Sequence, residues 1–77
     1  MTSDYNGESY LSPQRLGRVL KTLREQKGLT QVELASKASV TQAYVAKLEG
    51  GDRKSPSLDV LTRLARALGV PAGELLE

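Results

Sequence analysis

Two helix-start signals, at Thr30 and Thr41, constrain this chain more than any other feature of its sequence. In residues 29–34, Thr30 can cap a helix while Glu33, three positions later, completes a capping box. In residues 40–45, Thr41 is the cap, and each segment begins and ends with the apolar pair of a hydrophobic staple. One short helix must therefore end and another begin within about three or four residues, which predicts a helix-turn-helix.

Further helix signals flank this motif. Ser12 and Pro13 can open a first helix whose leucines recur at helical spacing, and Ser57 can cap a later helix with a broad apolar stripe. Residues that end or restart helices are Gly28, Gly50, Gly51, Pro56, Gly69 and Pro71. The chain is predicted to be all-α, a compact five-helix bundle with helix 2 near residues 31–38 and helix 3 near residues 42–49.

Charge is distributed unevenly between the two predicted parts of the chain. Residues 1–11 are polar and without period, which predicts a flexible N-terminal tail, and residues 12–77 are predicted to form one helix-turn-helix domain. Asp4 and Glu8 lie in the first part, whereas residues 13–77 carry 11 basic and 7 acidic side chains, a net charge of +4. A modestly basic domain suits a nucleic-acid partner.

Composition excludes several classes of function. The chain has no cysteine and no histidine, so disulfides, the usual zinc sites and thiol or triad catalysis are excluded. Neither paired carboxylates nor a phosphate-binding glycine loop is evident, so we expect no enzyme, no cofactor and no small-molecule ligand. No apolar run reaches about 20 residues and no signal peptide is evident, so we expect a cytoplasmic protein that does not associate with membranes. If its nucleic-acid partner is DNA, the protein should be associated with the nucleoid.

The second helix of the motif presents side chains that can read bases. On a helix that begins at Gln42, Val45 and Leu48 point inward, while Gln42, Ala43 and Lys47 project outward. Glutamine can bond adenine through two contacts, lysine can donate to guanine, and alanine can touch a thymine methyl group. The start of this helix is therefore expected to enter the DNA major groove.

Over residues 13–77 the sequence resembles the phage-repressor/Cro, or XRE-like, family of helix-turn-helix regulators. The resemblance is carried by Gln-Val-Glu-Leu-Ala at 31–35, Val-Thr-Gln at 40–42, Val-Ala-Lys-Leu-Glu at 45–49 and Pro-Ser-Leu at 56–58, with the apolar residues that follow. It implies a sequence-specific regulator of transcription, expected to be a repressor, that binds a palindromic operator in double-stranded DNA as a homodimer.

The resemblance also implies roles for individual residues. Gln42, Ala43 and Lys47 occupy the base-reading positions. The residues expected at DNA phosphates are Gln31, Thr41, Tyr44, Arg53, Lys54 and Arg24. Arg24 and Glu49 also resemble a pair found in related repressors, so Arg24 can serve a structural ion pair as well as a phosphate.

One residue of the turn departs from the family pattern. Related proteins usually have glycine where φ is positive, but this chain has Ser39. A residue other than glycine there costs roughly 1 kcal/mol of strain or adopts a nearby alternative conformation.

The C-terminal end is the predicted dimer interface. Leu75 and Leu76 are adjacent on the last helix and cannot point the same way, so at least one should remain near the surface. With Val70 and Pro71 it would form a patch that pairs two copies about a two-fold axis. A monomer, with the last helix merely covering the core, is the alternative.

Other functions of the same fold stay open at this point. The chain could be an adaptor that contacts other proteins, the DNA-binding antitoxin of a toxin–antitoxin pair, or a controller of restriction–modification genes. Gln42, Lys47, Arg53 and Lys54 on one surface favour DNA over the adaptor. A steep loss of binding with added salt would distinguish the two.

Overall fold

A computed structural model describes residues 12–52 and 56–76 of the chain. These residues form five α-helices and no strand, so the all-α prediction is confirmed. The helices are α1 (Pro13–Gln26), α2 (Gln31–Ala38), α3 (Gln42–Glu49), α4 (Leu58–Leu68) and α5 (Gly73–Leu76). The predicted tail and the loop cations Arg53 and Lys54 lie outside the described residues. Among the described helices none is sufficiently long and apolar to cross a membrane.

Side-chain caps fix where the helices of the motif begin. The Thr30 hydroxyl accepts from the backbone N–H of Glu33 at 3.0 Å, and the Glu33 carboxylate accepts from the backbone N–H of Thr30 at 2.8 Å. This closes the predicted capping box. At α3 the Thr41 hydroxyl accepts from the backbone N–H of Tyr44 at 3.1 Å, without a carboxylate to reciprocate. Both starts are thus dictated locally, as the sequence predicts.

The turn between α2 and α3 contains a strained serine. Ser39 has φ 59° and ψ 44°, and it is the one residue other than glycine with positive φ among those described. Its left-handed conformation lets the N–H of Val40 donate to the carbonyl of Ala35 at 2.9 Å. Arg63 on α4 donates to the carbonyls of Ala38 and Ser39 at 3.2 and 3.1 Å. An arginine distant in sequence therefore secures the turn.

All five helices contribute to a small apolar core. The side chains most completely enclosed are Leu20, Leu34, Val45, Leu64, Leu68 and Leu75. Ala35 is also buried, which lets α2 and α3 pack closely, and α2 packs in addition on α4. Burying these side chains provides most of the stability of a domain that has no disulfide.

A glycine sets how closely α1 approaches the end of α3. A Cβ atom built on Gly17 would lie 2.5 Å from the carbonyl oxygen of Leu48 and 2.8 Å from that of Glu49. Glycine is unfavourable inside a helix, so its place in α1 indicates that this close approach requires it. The α1–α3 contact in turn positions Glu49.

The packing of α5 contradicts one part of the predicted dimer interface, the contribution of Leu75. The Leu75 side chain is only 1% exposed and belongs to the core, so it cannot contribute to a surface. Adjacent residues on a helix point about 100° apart, and Leu76 is accordingly left partly exposed. Val70 and Pro71 also retain exposed surface. Of the predicted interface residues, Val70, Pro71 and Leu76 remain.

Candidate nucleic-acid interface

The first turns of α3 carry the predicted base-reading residues on the surface. Gln42, Ala43 and Lys47 are exposed, whereas Val45 and Leu48 are buried. Helical spacing brings the three exposed residues to the outer side of two successive turns. The arrangement therefore has the shape that a groove-reading helix requires, with a buried side that fixes it to the domain.

A chain of hydrogen bonds connects Gln42 to the interior. Gln42 Nε2 donates to Gln31 Oε1 at 3.0 Å, and Gln31 Nε2 donates to Glu49 Oε1 at 3.1 Å. Arg24 then donates to both carboxylate oxygens of Glu49, from Nε to Oε2 at 2.5 Å and from Nη2 to Oε1 at 3.0 Å. We call Arg24, Glu49, Gln31 and Gln42 the reading cluster. It joins α1, α2 and α3 through side chains alone.

The structure assigns Arg24 to the ion pair. The side chains of Arg24 and Glu49 are 11% and 4% exposed. Arg24 Nη1 also donates to the carbonyl of Leu29 at 2.8 Å, so each guanidinium nitrogen already bonds a protein oxygen. These hydrogen bonds hold the Arg24 side chain against Glu49, and its phosphate contact stays a prediction. A bidentate pair of this geometry fixes the orientation of both groups.

The ion pair stays charged at neutral pH. Burial disfavours the Glu49 carboxylate, but the hydrogen bonds from Arg24 and Gln31 and the charges of Arg24 and Lys21 outweigh it, so the pKa of Glu49 is lowered. The hydrogen bond to Glu49 raises the pKa of Arg24 against a smaller opposing effect of burial. The carboxylate is thus a permanent acceptor for Gln31.

Two further predicted phosphate contacts lie at the start of α3, Tyr44 in its first turn and Thr41 as its N-cap. Tyr44 is partly buried against the core, and burial raises the pKa of its hydroxyl, with a lowering effect of Arg63 and a raising effect of Asp52. The hydroxyl is therefore a neutral hydrogen-bond donor at neutral pH. Thr41 is exposed, and its hydroxyl accepts the cap hydrogen bond while its own hydrogen remains free to donate.

Three structural roles were not predicted from the sequence. Gln31 links Gln42 to Glu49, Arg63 holds the turn, and Gly17 admits the end of α3. For Gly17 a signal was present, because a glycine in the middle of an apolar helical pattern often marks close backbone approach. For the other two roles no local signal exists, since their partners lie 18 and 25 residues away.

The fold and the exposed side of α3 define the class: a small helix-turn-helix domain that presents one short helix. The chain belongs to the Helix-turn-helix domain family, whose model matches residues 15–77. It is 39% identical over 61 residues to the immunity repressor protein of Bacillus phage phi105, a match that covers 79% of this chain and 42% of that repressor. The predicted membership of the phage-repressor, XRE-like group is confirmed, although the chain spans less than half the length of this relative.

Solved structures of regulators share the fold. The restriction-modification controller protein C.AhdI from Aeromonas hydrophila superposes with a TM-score of 0.78 and 36% identity, over 82% of this chain and 94% of that one. SinR, described as the master regulator for biofilm formation and solved in complex with DNA, gives a TM-score of 0.77 and 32% identity, over 80% of this chain and 98% of that one.

Proposed function

We propose that this chain is a sequence-specific regulator of transcription, a repressor, that places the start of α3 in the DNA major groove. The observation that carries the proposal is the reading cluster, which holds an exposed glutamine in a fixed orientation at the start of α3. Its relatives support the assignment, since one is named an immunity repressor and SinR was solved with DNA. A side chain that reads a base must be held in a fixed orientation, whereas an ordinary solvent-exposed side chain need not be.

The hydrogen bonds within the reading cluster select a base for Gln42. One hydrogen of Gln42 Nε2 is used by Gln31, which leaves the Oε1 acceptor and the second N–H donor free. Adenine offers N7 as acceptor and the N6 amino group as donor in the major groove, which complements this pair. We therefore assign an A·T pair to Gln42, with a thymine methyl group for Ala43 and a guanine for Lys47.

Phosphates are assigned to the residues that surround α3. Gln31 keeps one amide hydrogen beyond those used in the reading cluster, and it lies at the start of α2, where backbone N–H groups are free to bind an anion. The hydroxyls of Thr41 and Tyr44, at the start of α3, are further donors for phosphate oxygens. Arg53 and Lys54 complete the proposed set, and such contacts position the protein without reading sequence.

A homodimer on a palindromic site completes the proposal. One small domain contacts few base pairs, and helix-turn-helix dimers place two reading helices on half-sites about one turn of DNA apart. The apolar surface left by Val70, Pro71 and Leu76 is the proposed contact between the two copies. Charged substitutions at Leu76 should then weaken the dimer, whereas one protein chain per site at saturation would contradict it.

Selection of bound sequences from a random DNA pool tests the proposed reading. The wild-type protein is expected to select a palindrome with an adenine at the position assigned to Gln42. Gln31→Ala should relax that one position by about 1 kcal/mol or more, because Gln42 loses its orientation, and Lys47→Ala should relax another by about 1–3 kcal/mol. Gln26→Ala, an exposed glutamine on α1, is the matched control and should select the same palindrome.

A further inference from the structure

A positively charged cleft lies beside the turn that joins α2 and α3. It encloses about 390 Å³ between the end of α2 and the face of α4. Its lining residues are Lys37, Ala38, Ser39, Arg63, Arg66 and Ala67, which we call the cationic cleft. The two alanines and the serine leave the space open, so three long cationic side chains border a cavity instead of filling it.

The three cationic side chains of the cleft differ in whether they already have partners within the domain. Arg63 bonds the carbonyls of Ala38 and Ser39 and pairs with Asp59 at 3.3 Å. The side chains of Lys37 and Arg66 form neither a hydrogen bond nor an ion pair within residues 12–52 and 56–76, and both residues are exposed. Two positive charges are therefore left for a ligand from outside the domain.

An acidic neighbour that could neutralise Lys37 is occupied elsewhere. Glu33 lies one helical turn before Lys37 on α2, the spacing at which a glutamate and a lysine normally pair. Its carboxylate instead accepts the backbone N–H of Thr30 at 2.8 Å in the capping box. The capping box thus holds the Glu33 carboxylate toward Thr30, and no ion pair between Glu33 and Lys37 forms in the described residues.

The position of the cleft indicates its ligand. Ser39 precedes Gln42 by three residues, so their backbones lie at most about 11 Å apart. In a bound helix-turn-helix the first helix of the motif, here α2, crosses the phosphate backbone while the second enters the groove. The cleft at the end of α2 is therefore close to the start of the helix that we propose enters the groove.

We propose that the cationic cleft binds DNA phosphates flanking the base pairs read by α3, through Lys37 and Arg66, and so extends the contact beyond the recognition sequence. The proposal rests on the proposed function and adds a second anchoring point to it. Arg63 acts as a positioning residue that shapes the cleft. Because phosphates carry no base identity, this contact should add affinity to every sequence equally.

Duplexes of two lengths test the proposal with the intact protein. One ends at the borders of the selected palindrome, and the other extends it by about five base pairs on each side. We expect the wild type to bind the longer duplex several-fold more tightly at 0.15 M salt, and the Lys37→Gln, Arg66→Gln double variant to bind both alike. For the longer duplex the slope of log K against log salt should fall by about 0.9 for each charge removed.

A matched variant and a second readout keep the test decisive. Arg18→Gln removes one exposed charge from α1, outside the cleft, and should keep the length dependence. Thermal unfolding should be unchanged in the cleft variants, because the side chains of Lys37 and Arg66 form no hydrogen bond or ion pair in the described residues. An unchanged length dependence in the double variant would overturn the proposal, as would binding of an acidic protein in place of DNA at the cleft. Base preference that still responds to Lys47→Ala would then leave the proposed function standing.

Discussion

The reading cluster and the cationic cleft both include residues of α2, yet they present polar groups in opposite ways. In the reading cluster every side chain bonds another, from the Arg24–Glu49 pair out to Gln42. In the cationic cleft Lys37 and Arg66 are exposed, and their side chains form no hydrogen bond or ion pair within the described chain. A base edge demands one donor and one acceptor at fixed positions, whereas a phosphate accepts a cation from many directions. Hydrogen bonds thus fix side-chain orientation in the reading cluster, where a base contact would depend on geometry.

The largest effect on stability is expected from removing Glu49, the carboxylate that Arg24 and Gln31 both bond in the reading cluster. Glu49→Ala leaves Arg24 buried without its partner and should lower the free energy of unfolding by about 3 kcal/mol. It also releases Gln31, so the base preference at Gln42 should broaden. Denaturant unfolding and selection from a random pool measure the two effects. Glu25→Ala, an exposed carboxylate on α1, is the control, and an equal loss there would refute a special role for Glu49.

A second large effect should follow from forcing α1 away from the end of α3. Gly17→Ala places a methyl group within 2.5 Å of the Leu48 carbonyl, and the better helix propensity of alanine offsets only part of the strain. We expect a net loss of about 2 kcal/mol in the free energy of unfolding. Gly73→Ala meets no atom within 4 Å and should be close to neutral. Comparable stabilities of the two variants would show that α1 and α3 can separate at little cost.

The contrast between the two regions also explains which features the sequence could predict. The caps at Thr30 and Thr41, and hence the bounds of α2 and α3, depend on residues three positions apart and were predicted correctly. The roles of Gln31 and Arg63 depend on partners brought near by folding. The pair Leu75 and Leu76 shows the same limit: spacing indicates that one leucine stays near the surface, but packing on α1 and α4 decides which.

A smaller effect, of opposite sign, is expected at the turn that joins α2 and α3. Ser39 holds a left-handed conformation that glycine adopts without strain, so Ser39→Gly should raise the free energy of unfolding by about 0.5–1 kcal/mol. Ser36→Gly, the same replacement inside α2, should instead lower it by about 0.5–1 kcal/mol. Thermal unfolding compares them. Should both variants lose stability, the strain assigned to Ser39 is absent.

The smallest effect expected is a pH dependence of the free energy of unfolding, caused by Glu49 in the reading cluster. The pKa of Glu49 is lower in the folded than in the unfolded chain, so the folded state keeps this charge to a lower pH. Its stabilising contribution is therefore complete above the ordinary glutamate pKa, about 4.3, and is lost as the pH falls through the lower folded value. Among the described residues, the lining of the cationic cleft contains no carboxylate.

The variant Glu49→Gln isolates this contribution, because it keeps the shape of the side chain and removes its titration. The difference in unfolding free energy between wild type and Glu49→Gln should be constant from pH 7 to about pH 5 and shrink below it. Lys37→Gln should follow the wild-type pH profile, since the Lys37 side chain makes no contact with Glu49 among the described residues. A difference that stays constant down to pH 2 would show that Glu49 ionises alike in both states. The ion pair would then orient Gln31 and Gln42 without stabilising the fold.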